Sequence, residues 1–136
     1  AEEVAPEDDY GADVRAILDH GRDLTAEQRA DADRELRRLR SEADDLMDEV
    51  DVLLLPATPF VAPPREAAEM VWPSGSAVPL GVDMPRFTAL GNLTGLPALV
   101  VPVELAEGLP VAVQLVAGRR RERDLLALGA TLQQRM

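Results

Sequence analysis

Asp51-Val-Leu-Leu-Leu-Pro-Ala-Thr-Pro59 is the stretch on which the reading of this 136-residue chain turns. Its first six residues form a short continuous apolar run stopped by proline, the pattern of a strand buried on both faces. Beyond it the prolines crowd together: Pro56, Pro59, Pro63, Pro64, Pro73, Pro79 and Pro85, with Gly75 and Gly81 among them. Proline fixes φ and removes a backbone donor, so residues 57–85 are expected to hold no long regular element. A loop of that length inside a compact domain is usually functional or mobile, and it is read here as a rim over a pocket.

Upstream of the strand the chain reads as helical. Residues 1–10 are acidic, contain a proline and show no periodicity, which suits a linker continuing from something before it. The first residue is Ala, so the chain is expected to be processed or part of a longer one. Val14, Ile17 and Leu18 suit a short amphipathic helix over Ala12–His20, with Gly21 placed for a left-handed cap. Thr25 and Gln28 have the spacing of a capping box, in which each side chain satisfies the other residue's backbone N–H. The helix they open is expected to reach Glu49. Leu36, Leu39, Ala43, Leu46 and Val50 form its apolar stripe, opposite a face of mixed charge. Packing on the body of a domain explains this better than a coiled coil, because the repeat lasts only about two heptads.

Downstream, Arg86–Leu93 reads as a short helix closed by Gly95, and Ala98–Leu105 as a strand interrupted near Pro102. Glu107-Gly108 reads as a turn and Pro110–Val116 as the second strand of a hairpin. Glu122–Gln134, with Leu125, Leu126, Leu128 and Leu132, completes the chain as an amphipathic helix. The expected class is α/β: residues 11–49 helices, 50–56 a strand, 57–85 the rim, and 86–136 a short helix, hairpin and terminal helix.

Composition narrows the function. Apolar residues make up 46% of the chain, enough for a folded segment, while aromatics are few: Tyr10, Phe60, Trp72 and Phe87. A net charge of −11 argues against a nucleic-acid or anionic-membrane partner, since phosphates would be repelled over most of the surface. With no cysteine there are no disulfides, thiolate metal ligands or thiol nucleophile. No apolar run is long enough to cross a bilayer and the N-terminus is acidic, so a soluble, cytoplasmic protein is expected. Every basic residue except His20 is Arg. Lysine chemistry cannot come from this chain.

Specific strings take the reading further. Asp51–Pro59 resembles the segment of the amidase signature family in which a buried strand runs into a Thr-Pro loop. Phe87-Thr-Ala-Leu-Gly-Asn-Leu-Thr-Gly-Leu-Pro-Ala98 resembles that family's Phe-Thr-x-x-x-Asn-Leu-Thr-Gly-Leu-Pro-Ala segment. Gly108-Leu-Pro-Val-Ala-Val-Gln-Leu-Val-Ala-Gly118 resembles its Gly-Leu-Pro-Val-Gly-Leu-Gln-Leu-x-Gly strand, with Ala112 in place of a usual Gly. The resemblance implies the C-terminal portion of such a domain, part of a mixed β-sheet with flanking helices and incomplete as given.

It also implies a chemistry. Family members cut an amide C–N bond with a nucleophilic Ser, a bridging Ser and a neutral Lys that accepts the relayed proton, through an acyl-enzyme. Those groups precede the region matched here. The chain's own serines are Ser41, on the solvated face of a helix, and Ser74 and Ser76, in the Pro-rich rim with no base beside them. His20, near a helix end, reads as a partner for the helix dipole. The acidic pairs Asp8-Asp9 and Asp44-Asp45 read as solvated, and Arg119–Arg121 as a turn before a helix. Asn92 reads as structural, bonding backbone across the turn toward Gly95. No catalytic residue, metal ligand or cofactor is therefore expected, and the chain alone is expected to be inactive.

The resemblance places substrate contact at Thr58, Pro59 and Phe60, in the loop after the strand. Phe60, Val61, Met70, Val71 and Trp72 make the rim apolar, which favours a nonpolar or aromatic amide. Pro85 and Arg86 stand where glutamine-using transamidosome subunits tend to carry an acid, which favours a general amidase. The expected partners are the remainder of the amidase domain and a small-molecule amide, with a homo-oligomer open. The alternative is a catalytically silent remnant serving as a binding or assembly module.

Overall fold

A computed structural model describes residues 10–135; the acidic linker expected over residues 1–10 lies, but for Tyr10, outside them. The chain divides into two compact units, one up to Arg37 and one from Arg38 onward. The first unit holds helix α1 (Ala12–Asp23) and the start of α2 (Ala26–Glu49). Thr25 opens α2 as its sequence requires: the Gln28 N–H donates to Thr25 Oγ1 at 3.1 Å, and the Thr25 N–H donates to Gln28 Oε1 at 2.8 Å. Gly21 is not a cap. Helix α1 continues through it to Asp23, and Leu24 turns extended to end the helix.

The second unit is built on a three-stranded sheet in the order β1-β5-β4, from β1 (Val52–Pro56), β4 (Ala98–Ala106) and β5 (Leu109–Ala117). Both pairings are antiparallel, with Val52 opposite Ala117 and Ala98 opposite Val116. Glu107 (φ 53°) and Gly108 (φ 81°) both take the left-handed conformation, the two-residue turn whose twist matches a hairpin. Between Pro102 and Glu104 the register slips, because proline offers no ladder donor and the extra residue Val103 is accommodated as a bulge.

Strand alternation gives the sheet two apolar faces. One carries Val101, Leu115 and Ala117 and is covered by α5 (Glu122–Gln133) through Leu125. On the other, Val116 packs with Leu96 and with Ala43 of α2. Each fully buried side chain of the size of Leu115 or Leu125 contributes ~1.5–3 kcal/mol. The stripe of α2 in this unit runs through Leu39, Ala43 and Met47 at steps of four; Leu46 stays 40% exposed. The expectation for β1 also needs correction. It is an edge strand, and Leu54 is 64% exposed, so the run is not buried on both faces here.

The Pro-rich stretch is more ordered than its composition suggests. It contains a short hairpin, β2 (Glu69–Val71) with β3 (Ala77–Pro79), and one turn of helix, α3 (Leu80–Asp83). The prolines flank these elements or sit at the strand end, where no ladder N–H is needed. Helix α4 (Ala89–Thr94) follows and stops at Gly95, whose φ of 71° is the left-handed cap expected of it.

Candidate functional site

Strand β1 ends at Pro56 and leads into a cleft of about 180 Å³ lined by Pro56, Thr58, Pro59, Phe60 and Val61 on one side and Pro110, Val111 and Ala112 on the other. The three residues singled out from the sequence thus lie together. Proline ends the ladder, and Ala57 makes one last backbone bond, its N–H to the Ala112 carbonyl at 3.0 Å. Thr58 Oγ1 then donates to the Phe60 carbonyl at 2.8 Å, a local turn that fixes how the Thr-Pro-Phe segment leaves the sheet.

Phe60 in the cleft wall is backed by a second aromatic ring anchored by a carboxylate. The rings of Phe60 and Trp72 lie 4.8 Å apart, tilted by 54°. Trp72 Nε1–H donates to Asp83 Oδ2 at 2.8 Å, and Arg86 donates to Asp83 Oδ1 through both Nε (2.9 Å) and Nη2. The Arg86 guanidinium also lies over the indole, 5.9 Å from its centroid. Asp83 is 2% exposed. The Arg86 hydrogen bond, opposed by burial and aided by the Trp72 N–H and the Arg86 charge, holds the carboxyl below its ordinary range.

Asp83, Thr94 and Gln114 are the buried polar residues of the described chain, and no buried side-chain N or O among the described residues lacks a partner. Thr94 Oγ1 donates to the Leu90 carbonyl at 2.6 Å and accepts the Leu96 N–H at 3.3 Å. Thr94 therefore takes the turn-forming part expected of Asn92, which is exposed on α4. Gln114 Nε2 donates to the Phe87 carbonyl at 3.0 Å, tying the segment before α4 to the sheet. Sequence reasoning did not single out these three. A lone amide inside the apolar run Val113–Ala117 was the available signal for Gln114; for Asp83 there was none, because an Asp three residues before an Arg is commonplace on a surface and Trp72 becomes its neighbour only through the β2–β3 hairpin.

The other candidates lie away from the cleft lining. Ser74 and Ser76 sit at the tip of that hairpin, closed by Trp72 N–H to the Ser76 carbonyl at 2.9 Å; Ser74 Oγ donates to Ser76 Oγ at 3.3 Å. His20 is in the last turn of α1. Arg119 bonds the Thr94 carbonyl at 3.1 Å and pairs with Asp44, and Arg121 pairs with Asp51 and Asp124, so two residues of the Arg run and one acid of the Asp pair are staples between elements. Among the described residues no group of three His, Cys, Asp or Glu could hold a metal ion, and no helix is long and apolar enough to cross a membrane. A second cavity of about 210 Å³ beside α2 is lined by Leu39, Leu46, Met47, Leu53, Leu90 and Leu96, with Ala43 and Glu42. With one polar side chain it lacks the convergent polar groups of a ligand site and reads as a packing groove.

The profile of the family described as Amidase matches residues 3–126. An amidase of Pseudomonas putida is 34% identical over 93 residues, which cover 68% of this chain and 20% of that protein. One subunit of the glutamyl-tRNA(Gln) amidotransferase of Thermus thermophilus is 42% identical over 91 residues, covering 66% of this chain and 18% of that one. A crystal structure of an amidase superposes with a TM-score of 0.85 at 34% identity, over 93% of this chain and 29% of that one. The chain thus spans 20% or less of the length of these two relatives. It belongs to the amidase signature family.

Proposed function

We propose that this chain is the C-terminal portion of an enzyme that hydrolyses carboxylic amide C–N bonds, with the Ser-Ser-Lys triad supplied by polypeptide preceding Ala1. The observation that carries the reading is a mismatch: the family profile covers nearly the whole chain, yet the chain has no Lys and no Ser beside a base. In this arrangement the chain contributes sheet, packing and one wall of the substrate entrance. Thr58, Pro59 and Phe60 contact the substrate there, and the apolar rim selects a nonpolar or aromatic amide. Pro85 and Arg86, standing before Asn92 where glutamine-using subunits tend to carry an acid, favour a general amidase over an amidotransferase component. The absence of cysteine fits a cytoplasmic setting.

The test begins with the coding sequence upstream of Ala1, which is expected to encode a Lys followed by a Gly-Ser-rich stretch with two Ser. A polypeptide carrying both parts should hydrolyse a simple amide such as phenylacetamide and lose that activity when the Lys is replaced. The 136-residue chain alone should show none. An upstream stop codon with no such partner, or hydrolysis by the chain alone that vanishes on Ser76→Ala, sinks the reading.

A second reading, a silent assembly module, has one observation in its favour: α1 exposes Ile17 at 72%, with Val14 and Leu18 beside it above 40%. Light scattering decides it. A stable monomer counts against the module, and a defined oligomer counts for it.

A further inference from the structure

Phe60 belongs to two structures at once. It lines the cleft, and its ring packs on Trp72, which does not line it. Trp72 is in turn held by Asp83, a carboxylate with both oxygens occupied and almost no contact with solvent. Burying a carboxylate carries a desolvation penalty, and an apolar side chain of similar size is often at least as good for stability. What an apolar replacement cannot do is fix the angle of an indole through its N–H while a guanidinium lies over the same ring. Asp83 does both, since Arg86 bridges it to the indole face.

We propose that Asp83 is a positioning residue for the cleft: it orients Trp72, Trp72 backs Phe60, and the rigid aromatic wall so formed selects an aromatic group on the amide substrate. The inference rests on reading the cleft as the substrate entrance, and it assigns the selectivity to a residue that does not touch the ligand. A fixed ring offers contact area with little conformational entropy to lose, so the effect should appear as a preference for flat aromatic amides over aliphatic ones. Loss of Asp83 should weaken that preference without repelling amides as a class.

Trp72 is the only tryptophan in the chain, so its emission reports the wall directly. Phenylacetamide and butyramide are titrated into the chain, with binding followed by Trp72 emission and by ligand-observed NMR. The wild-type chain should bind phenylacetamide more tightly, with a change in Trp72 emission. In Asp83→Asn, which removes the charge and leaves one acceptor oxygen for two donors, the ratio of the two affinities should fall about tenfold, as for the loss of one charge-assisted hydrogen bond, and iodide should quench Trp72 more readily. Trp72→Phe keeps an aromatic side chain but removes the N–H donor together with the second ring that packs on Phe60; its ratio, read by NMR, should fall too, and it decides the matter if Asp83→Asn fails to fold. Gly95→Ala, which perturbs stability away from the rim, should leave the ratio at the wild-type value. Folded Asp83→Asn and Trp72→Phe with the wild-type ratio overturn the proposal, as does a wild-type chain that does not distinguish the two amides. A preference that depends on Asp83 in a protein whose complete polypeptide hydrolyses no amide would retain the positioning and discard the enzyme; hydrolysis with an unchanged ratio in both variants would do the reverse.

Discussion

Gln114, buried in the central strand β5, donates its side-chain amide to the backbone carbonyl of Phe87 at 3.0 Å. This bond joins two of the strings that identify the family, Phe87–Ala98 and Gly108–Gly118. It seats the segment leading into α4 on the same face of the sheet as Val116. Replacing Gln114 by Leu keeps the volume but leaves a carbonyl without its partner. The expected loss is about 1–3 kcal/mol, read as a lower urea midpoint with an unchanged m-value.

Gly95→Ala tests the cap of α4. The added Cβ would meet Arg119 Nη1 at 3.5 Å, an ordinary contact, so crowding adds little. The φ of 71° decides the outcome, because the left-handed region strains any residue with a Cβ by ~1–2 kcal/mol. Thermal unfolding should show a loss of that size. A neutral result would mean that the cap relaxes by flipping out of the left-handed region.

Gly129 lies where α5 presses on β4. A Cβ built there would be 2.6 Å from Leu99 Cδ2 and 3.3 Å from Val101 Cγ2. The Leu99 methyl can swing away, but Val101 is buried and branched. Gly129→Val therefore overfills the contact and should cost ~1–3 kcal/mol despite replacing a poor helix former. Denaturant unfolding measures it, and Ala130→Val, exposed on the same helix, serves as the control.

Asp83 sets a pH dependence with a definite sign. Its carboxyl, held below the ordinary 3.8 mainly by the Arg86 hydrogen bond, binds its proton more weakly in the folded than in the unfolded chain. Its contribution to stability is therefore complete above that ordinary value and is lost as pH falls through the lower folded value. Trp72 emission should keep its native form at neutral pH and change with a midpoint below pH 3.8. In Asp83→Asn the change tied to this carboxyl should be absent, and a wild-type transition centred above pH 3.8 would contradict the assignment.

What could be read without the structure was local. The Thr25–Gln28 box, the Gly95 cap, the Glu107-Gly108 turn and the slip at Pro102 each depend on residues within four positions of one another, so their geometry is written in short strings. The terminal helix followed from periodicity. Composition alone showed that no lysine is present to activate a serine.

Other features needed distant parts of the chain to meet. That β1 pairs with β5, Val52 with Ala117, and so lies at the edge with Leu54 in the open, depends on which strands the sheet places side by side. The shift of the α2 stripe from Leu46 to Met47 depends on how the helix lies across that sheet. The hairpin within the Pro-rich stretch was hidden because its strands are only three residues long, too short for alternation to show. Asp83 could be seen as an acid in the sequence, but not as a buried one. Its meaning came from an indole eleven residues away and an arginine three residues away, brought to the same carboxylate by one turn of hairpin and one turn of helix. The sequence by itself determined the family, the order of elements outside the Pro-rich stretch and the absence of lysine, because these rest on residue identity and near neighbours. The tertiary structure decided the edge strand and the aromatic wall, because burial and long-range hydrogen bonds exist only once the chain has closed on itself.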